Sequence, residues 1–162
     1  MRFPAALITA TRTRRQHRYG LQGAPFMTRV LLVDDDSRIV QLLSTVLEMN
    51  GFGVTQATSA SEARAAIESD GFEIVITDLS METPTAGFEV VRAARDRSPR
   101  PIIVVVTAYP VPSAEWRRMG ADALYIKGSN TTALPEQLKE LMQRRLRASS
   151  PKAEPIRRVR FS

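Results

Sequence analysis

The sequence contains no cysteine, which excludes disulfide bonds and thiolate metal sites. It contains a single histidine, His17, which we interpret as a solvated side chain rather than a metal ligand or phosphoryl donor. No stretch approaches the roughly 18 apolar residues of a membrane span, so we expect no membrane-spanning segment. These absences fit a protein of the reducing cytoplasm, where we expect this one to act.

Acidic residues are scarce at both ends of the chain. Residues 1–28 carry a net charge of +5 and residues 148–162 a net +3, so residues 29–147 carry −2 of the overall +6. We expect the two basic extensions to be disordered. No helix-turn-helix or zinc-finger pattern accompanies the basic charge, so we do not expect nucleic-acid binding. Met27 directly precedes the first predicted strand, which leaves open whether translation starts there.

Between these extensions, apolar runs alternate with segments whose apolar residues recur at helical spacing. The runs that predict strands lie at residues 29–33, 53–58, 73–78, 102–106 and 121–126. Ser59 stands three residues before Glu62, the pattern of a capping box at the start of a helix. Pro135 suits the first turn of the last helix. Five strands alternating with five helices predict an α/β domain whose parallel sheet is covered on both faces.

Polar side chains stand where four of the predicted strands end. The first strand leads into Asp34, Asp35 and Asp36, and the third ends in Asp78. The fourth and fifth are followed by a hydroxyl, Thr107, and an amine, Lys127. Because the carboxyl ends of parallel strands share one edge of the sheet, we expect these groups to lie together in a ligand site.

Clustered carboxylates repel one another, so their joint ionisation needs a cation. Oxygen ligands without cysteine or histidine suit a hard ion such as Mg²⁺. A plain helix cap is the alternative interpretation of residues 34–36, although one acid would suffice for it. Asp78 can also act as a nucleophile that forms an acyl phosphate. A metal, Lys127 and Thr107 would then neutralise and hold the phosphoryl oxygens.

Four ordered motifs resemble the receiver domain of bacterial two-component response regulators. They are Val33-Asp34-Asp35-Asp36, Thr77-Asp78-Leu79-Ser80-Met81, Val106-Thr107-Ala108, and Gly120-Ala121-Asp122 followed by Lys127. The resemblance covers residues 29 to about 147. It implies a flavodoxin-like fold, a doubly wound five-stranded parallel sheet of order 2-1-3-4-5 with five helices.

The resemblance also implies roles for individual residues. Asp78 would be the phosphoacceptor. Mg²⁺ would be held by Asp34, Asp35, Asp78 and the backbone carbonyl of Ser80. Thr107 and Lys127 would contact the phosphoryl group, with Thr107 acting as the switch hydroxyl. Asp36 corresponds to no catalytic position.

The chain departs from the receiver pattern at several positions. Glu82 and Gly128 stand where the family usually has proline, and the loop leading to Gly87 is about one residue longer than usual. Leu124 occupies the position of a switch aromatic, and Tyr125 follows it. Side chains alternate across a strand, so Tyr125 should face the opposite side. We therefore expect no aromatic switch of the usual form.

The predicted function is that of a stand-alone response regulator receiver. It would take a phosphoryl group from a histidine kinase or histidine phosphotransfer protein, and signal to an unknown downstream protein. Trp116, Leu124 and Tyr125 are candidates for the output surface. It would catalyse only its own phosphorylation and dephosphorylation. The alternatives are a receiver-like interaction module that is independent of phosphorylation and a Mg²⁺-dependent aspartyl phosphohydrolase.

Overall fold

A computed structural model describes residues 27–128 and 131–149 of the chain. Five parallel strands form one sheet in the order β2-β1-β3-β4-β5. The strands are β1 (Thr28–Val33), β2 (Phe52–Ala57), β3 (Ile74–Asp78), β4 (Ile102–Thr107) and β5 (Ala123–Ile126). This confirms the predicted fold class and strand order.

A helix follows each strand along the chain. The helices are α1 (Ser37–Met49), α2 (Ala60–Ser69), α3 (Ala86–Arg95), α4 (Ser113–Met119) and α5 (Leu134–Ser149). A 3-10 turn, Thr131–Ala133, precedes α5 and was not predicted from the sequence. Pro135 lies in the first turn of α5, as expected.

The three central strands carry long apolar runs because both faces of the sheet are covered, and their polar residues lie at the strand ends. In β4, Ile103 and Val105 pack with α2 and α3, whereas Ile102, Val104 and Val106 pack with α1 and α5. All five side chains are buried. This double core holds the strand ends in fixed positions, and those ends carry the candidate site.

Side-chain caps define where the first two helices begin. Asp36 is the N-cap of α1, and its carboxylate accepts a hydrogen bond from the backbone N–H of Arg38. Ser59 caps α2 by accepting from the N–H of Glu62 at 3.2 Å. The Glu62 carboxylate accepts from the N–H of Thr58, one residue before the cap. The Ser59–Glu62 pattern therefore begins a helix as predicted, with Glu62 reaching one residue further back than in the usual capping box.

The described structure extends slightly beyond the predicted domain limits of 29 and 147, since β1 begins at Thr28 and α5 ends at Ser149. His17 and the remainder of the two basic extensions lie outside the described residues. Within residues 27–128 and 131–149, no helix combines the length and apolar character needed to cross a bilayer.

Candidate phosphoryl-acceptor site

The carboxyl edge of the sheet brings the predicted polar residues together. Asp34 follows β1, Asp78 is the last residue of β3, and Thr107 is the last residue of β4. Strand β4 pairs with both β3 and β5, and the N–H of Lys127 donates to the carbonyl oxygen of Thr107 at 2.7 Å. Four separate strands thus deliver the two acids, the hydroxyl and the amine to one place.

Three carboxylates lie close enough to share a cation. Asp34, Asp35 and Asp78 each offer an oxygen, and these oxygens all lie within 4.8 Å of one another. Asp34 and Asp78 are buried, whereas Asp35 is exposed. An all-oxygen donor set open to solvent on one side fits Mg²⁺, which keeps several of its water ligands. Asp36 points to Arg38 instead, with its Oδ2 2.9 Å from a guanidinium nitrogen, and takes the cap role.

Lys127 bridges the two buried acids. Its Nζ lies 2.6 Å from Asp34 Oδ2 and 2.7 Å from Asp78 Oδ2. Burial disfavours the charge on Lys127, but the hydrogen bonds to Asp34 and Asp78 outweigh it and raise the lysine pKa above its usual value. Burial raises the pKa of Asp34, against the opposing hydrogen bond from Lys127. The amine therefore supplies the positive charge that the buried carboxylates require.

Gly128, which replaces the usual proline, has a φ of 82°. This left-handed conformation is one that glycine adopts at little cost. It directly follows Lys127, whose amine reaches both acids. Glycine in place of proline at residue 128 therefore does not prevent the Lys127 amine from reaching the acid cluster.

Thr107 contributes a buried hydroxyl beside Asp78. The residue is only 3% exposed, and its Oγ1 accepts from the N–H of Tyr109 at 3.3 Å. Asp78 pairs with Val106, the residue before Thr107, so Thr107 lies next to the end of β3. A hydroxyl so placed can donate to an oxygen of a group bound on Asp78.

The loop from β3 to α3 is held closely against the end of β3. Gly87 N–H donates to the Leu79 carbonyl oxygen at 3.3 Å, and a Cβ at residue 87 would overlap the backbone of Asp78 and Leu79. Only glycine permits this approach. Ser80, whose carbonyl is the predicted fourth ligand, donates its N–H to Asp78 Oδ1 at 3.4 Å.

The three candidate output residues do not share one face. Trp116 and Leu124 pack against the core on the α2–α3 side, and the Arg117 guanidinium lies 5.0 Å from the Trp116 ring centroid. Tyr125 packs on the α1–α5 side. The alternation predicted for Leu124 and Tyr125 is therefore present, and it separates Tyr125 from the other two residues.

Two contacts at the site escaped sequence reasoning. Glu82 Oε1 accepts from the N–H of Ala60 at 2.7 Å, which ties the β3–α3 loop to α2. Lys127 was expected to face a phosphoryl group, and its bridge between Asp34 and Asp78 was not foreseen. The sequence offered no signal for the first contact, because Glu82 is exposed and a solvated carboxylate needs no protein partner. For the second contact, the only signal in the sequence was the pair of acids, whose charge is unbalanced when both are buried.

The arrangement suits transfer of a phosphoryl group to a carboxylate. A nucleophilic oxygen on Asp78 lies beside an amine, a hydroxyl and carboxylates able to bind a hard cation. Such positive charges and donors stabilise the charge that develops on the phosphoryl oxygens. The site contains no cysteine or histidine nucleophile, since the described residues include neither type.

Comparisons with known proteins agree with this geometry. The sequence matches the response regulator receiver domain family over residues 30–139. It is 29% identical over 119 residues to the transcriptional regulatory protein CpxR homolog of Haemophilus influenzae, covering 73% of this chain and 52% of that protein. It is 36% identical over 80 residues to the photosynthetic apparatus regulatory protein RegA of Rhodobacter capsulatus, covering 49% and 43%. The chain thus spans about half the length of these relatives.

Solved structures show the same fold. A CheY-like receiver domain protein from Methanospirillum hungatei superposes with a TM-score of 0.69 at 30% identity, covering 75% of this chain and 98% of that one. The response regulator TrrA of Thermotoga maritima, solved in complex with Mg²⁺ and BeF, gives 0.64 at 30% identity, covering 71% and 99%. The family match spans well over half of the sequence. The chain therefore belongs to the response regulator receiver domain family.

Proposed function

We propose that this chain is a phosphorylation-dependent signalling receiver whose phosphoacceptor is Asp78. The observation that carries the proposal is the surroundings of Asp78, a residue that is 5% exposed at the end of β3. Lys127 Nζ lies 2.7 Å from its carboxylate, and the carboxylates of two further acids lie close enough to hold one metal ion together with it. A merely structural ion pair would not need the third carboxylate or the neighbouring buried hydroxyl of Thr107.

The proposed reaction uses a phosphohistidine donor on a histidine kinase or phosphotransfer protein. A carboxylate oxygen of Asp78 forms a bond to phosphorus as the phosphorus–nitrogen bond of the donor breaks. The electron pair leaves on the imidazole nitrogen, which then takes up a proton. Asp34, Asp35, Asp78 and the Ser80 carbonyl would hold Mg²⁺, which neutralises phosphoryl charge. Lys127 and Thr107 would bind phosphoryl oxygens; the Lys127 ammonium has three N–H donors, two of which now face Asp34 and Asp78.

Output would follow from a change in the surface that binds a downstream protein. We assign this role to the region of Trp116 and Leu124, with Tyr125 on the opposite face as a second candidate. Leu124 lies on β5, which pairs with the strand that ends in Thr107. The proposal places the protein in the cytoplasm and restricts its catalysis to its own acyl phosphate. It also holds that output occurs through protein contacts rather than through nucleic acid.

The test is incubation with Mg²⁺ and a small acyl phosphate donor, followed by intact-protein mass measurement. We expect the wild type to gain one phosphoryl group and Asp78→Asn to gain none. Asp70→Asn serves as a control, because Asp70 pairs with Arg29 away from the site, and it should behave as the wild type. No gain in the wild type, or an equal gain in Asp78→Asn, would refute the proposal.

One observation favours the phosphorylation-independent alternative. Leu124 stands where a switching aromatic is usual, and it packs against the core with Trp116 and Met119. If phosphorylation of Asp78 proceeds but partner binding is the same with and without it, the chain is an interaction module with a retained acceptor site.

A further inference from the structure

Glu82 connects the loop beside Asp78 to a different element of the fold. Its Oε1 accepts a hydrogen bond from the backbone N–H of Ala60 at 2.7 Å. Ala60 is the first residue of α2, whereas Glu82 lies between β3 and α3. The contact therefore spans 22 positions in the sequence.

Two other N–H groups near the start of α2 have acceptors of their own. Ser59 Oγ accepts from the N–H of Glu62, and Glu62 Oε2 accepts from both the N–H and the hydroxyl of Thr58 at 2.8 and 3.0 Å. The N–H of Ala60 is directed to Glu82 instead. A carboxylate at this end of a helix is stabilised by the exposed N–H groups and the helix dipole.

Most of the loop that Glu82 ties down is exposed, and within it only Met81 packs partly buried against the α2–α3 core. Ser80, Glu82, Thr83, Pro84 and Thr85 are exposed. One end of the loop is fixed where the backbone of Gly87 lies against Asp78 and Leu79. Glu82 supplies a second attachment near the middle, through a charge-assisted hydrogen bond. Residues 79–82 are thereby held between two fixed points.

We propose that Glu82 is a positioning residue for the metal site: by binding Ala60 N–H it holds residues 79–82 so that the Ser80 carbonyl is presented toward the acid cluster. This inference rests on the proposed function, since it concerns the Mg²⁺ ligands of the same site. Loss of the tether would leave the loop in its binding-competent conformation for only a fraction of the time. The apparent affinity for Mg²⁺ falls by that fraction.

The test measures Mg²⁺ affinity by calorimetry in three variants. In Glu82→Ala we expect the dissociation constant to rise about five- to tenfold, as for a competent population of about 10 to 20%. Glu82→Gln keeps an oxygen that can accept from Ala60 N–H, so its constant should stay within about twofold of the wild type. Glu62→Ala removes a carboxylate from the same helix start without touching the loop, and should leave Mg²⁺ binding unchanged.

Amide hydrogen exchange in metal-free protein provides a second readout. Residues 79–86 should exchange faster in Glu82→Ala than in the wild type, and Glu62→Ala should leave this segment unaffected. An unchanged Mg²⁺ affinity in Glu82→Ala, or unchanged exchange of the segment, would overturn the inference. An equal loss of affinity in Glu82→Gln would also overturn it, by assigning the effect to charge rather than to the tether. A wild type that does not bind Mg²⁺ at all would instead refute the proposed function.

Discussion

Lys127 determines the electrostatics of the site before any phosphoryl group arrives. Its amine contacts Asp34 and Asp78 at 2.6 and 2.7 Å, so it occupies two of the three carboxylates that would bind Mg²⁺. An ammonium group repels a divalent cation at the same ligands. The lysine that would stabilise the phosphoryl group thus weakens metal binding in the resting protein.

Replacing this amine should therefore strengthen metal binding. We expect Lys127→Met to bind Mg²⁺ about three- to tenfold more tightly than the wild type, because a competing positive charge is removed. Isothermal titration calorimetry measures the change. Lys139→Met is the matched control, since Lys139 pairs with Glu136 on α5. Weaker binding in Lys127→Met would show that the amine supports the metal site rather than competing with it.

Asp36 makes stability depend on pH at the start of α1. Its hydrogen bonds with the side chain and backbone of Arg38 lower its pKa to about 2. A carboxylate whose pKa is lower in the folded state contributes stability above its unfolded pKa of 3.8, and loses it as the pH falls toward about 2. Asp36→Asn retains a cap but lacks the charge.

The stability advantage of the wild type over Asp36→Asn should consequently be full near neutral pH and shrink steadily below about pH 4. Urea unfolding of both proteins across that range measures it. An advantage that is constant with pH would mean that the Asp36 charge does not contribute.

At the scale of elements, the close approach of α3 to the end of β3 depends on Gly87. A Cβ there would overlap the Asp78 carbonyl oxygen and the Leu79 Cα, which are backbone atoms that cannot rotate away. We expect Gly87→Ala to destabilise the protein by about 1 to 3 kcal/mol and to displace the acid cluster. Mg²⁺ affinity should fall as well.

Gly71→Ala provides the control for this substitution. Gly71 is exposed, and a Cβ there would meet nothing within 4 Å. Its stability should stay within about 0.5 to 1 kcal/mol of the wild type, as measured by urea unfolding. If Gly87→Ala were equally neutral, the backbone of Asp78 would be less constrained than the packing indicates.

The elements themselves could be predicted because their signals are local. The wholly apolar run of β4 specifies a strand buried on both faces, and the alternation of Leu124 and Tyr125 specifies opposite faces of β5. The 3-10 turn at Thr131–Ala133 carries no comparable periodicity, so it was missed. Exact ends of elements depend on individual cap contacts and differed by a residue or two.

Over the whole molecule, the parallel sheet brings residues that are distant in the sequence together in one site. The rule that parallel strands end at one edge was sufficient to predict that Asp34, Asp78, Thr107 and Lys127 lie together. It could not predict which groups pair, because such pairs depend on side-chain reach across the folded structure. The Glu82 contact with Ala60 and the position of Lys127 between two acids are of this kind.

Metal binding should be visible as a gain in global stability. A ligand that binds only the folded state stabilises it by about 2.7 kcal/mol at one hundred times its dissociation constant. We expect Mg²⁺ to give this gain in the wild type, and most of it to disappear in Asp35→Asn. Urea unfolding with and without Mg²⁺ measures both. An equal gain in the variant would place the ion elsewhere.

The central claim is that Asp78, and neither Asp34 nor Asp35, becomes the acyl phosphate. The most direct test is phosphorylation with Mg²⁺ and a small phosphodonor, reduction of the acyl phosphate with borohydride, and peptide mass spectrometry. Reduction converts the modified aspartate to a stable alcohol at its own position. We predict one Mg²⁺-dependent modification, located at residue 78. Modification at residue 34 or 35 instead, or none at all, would contradict the claim.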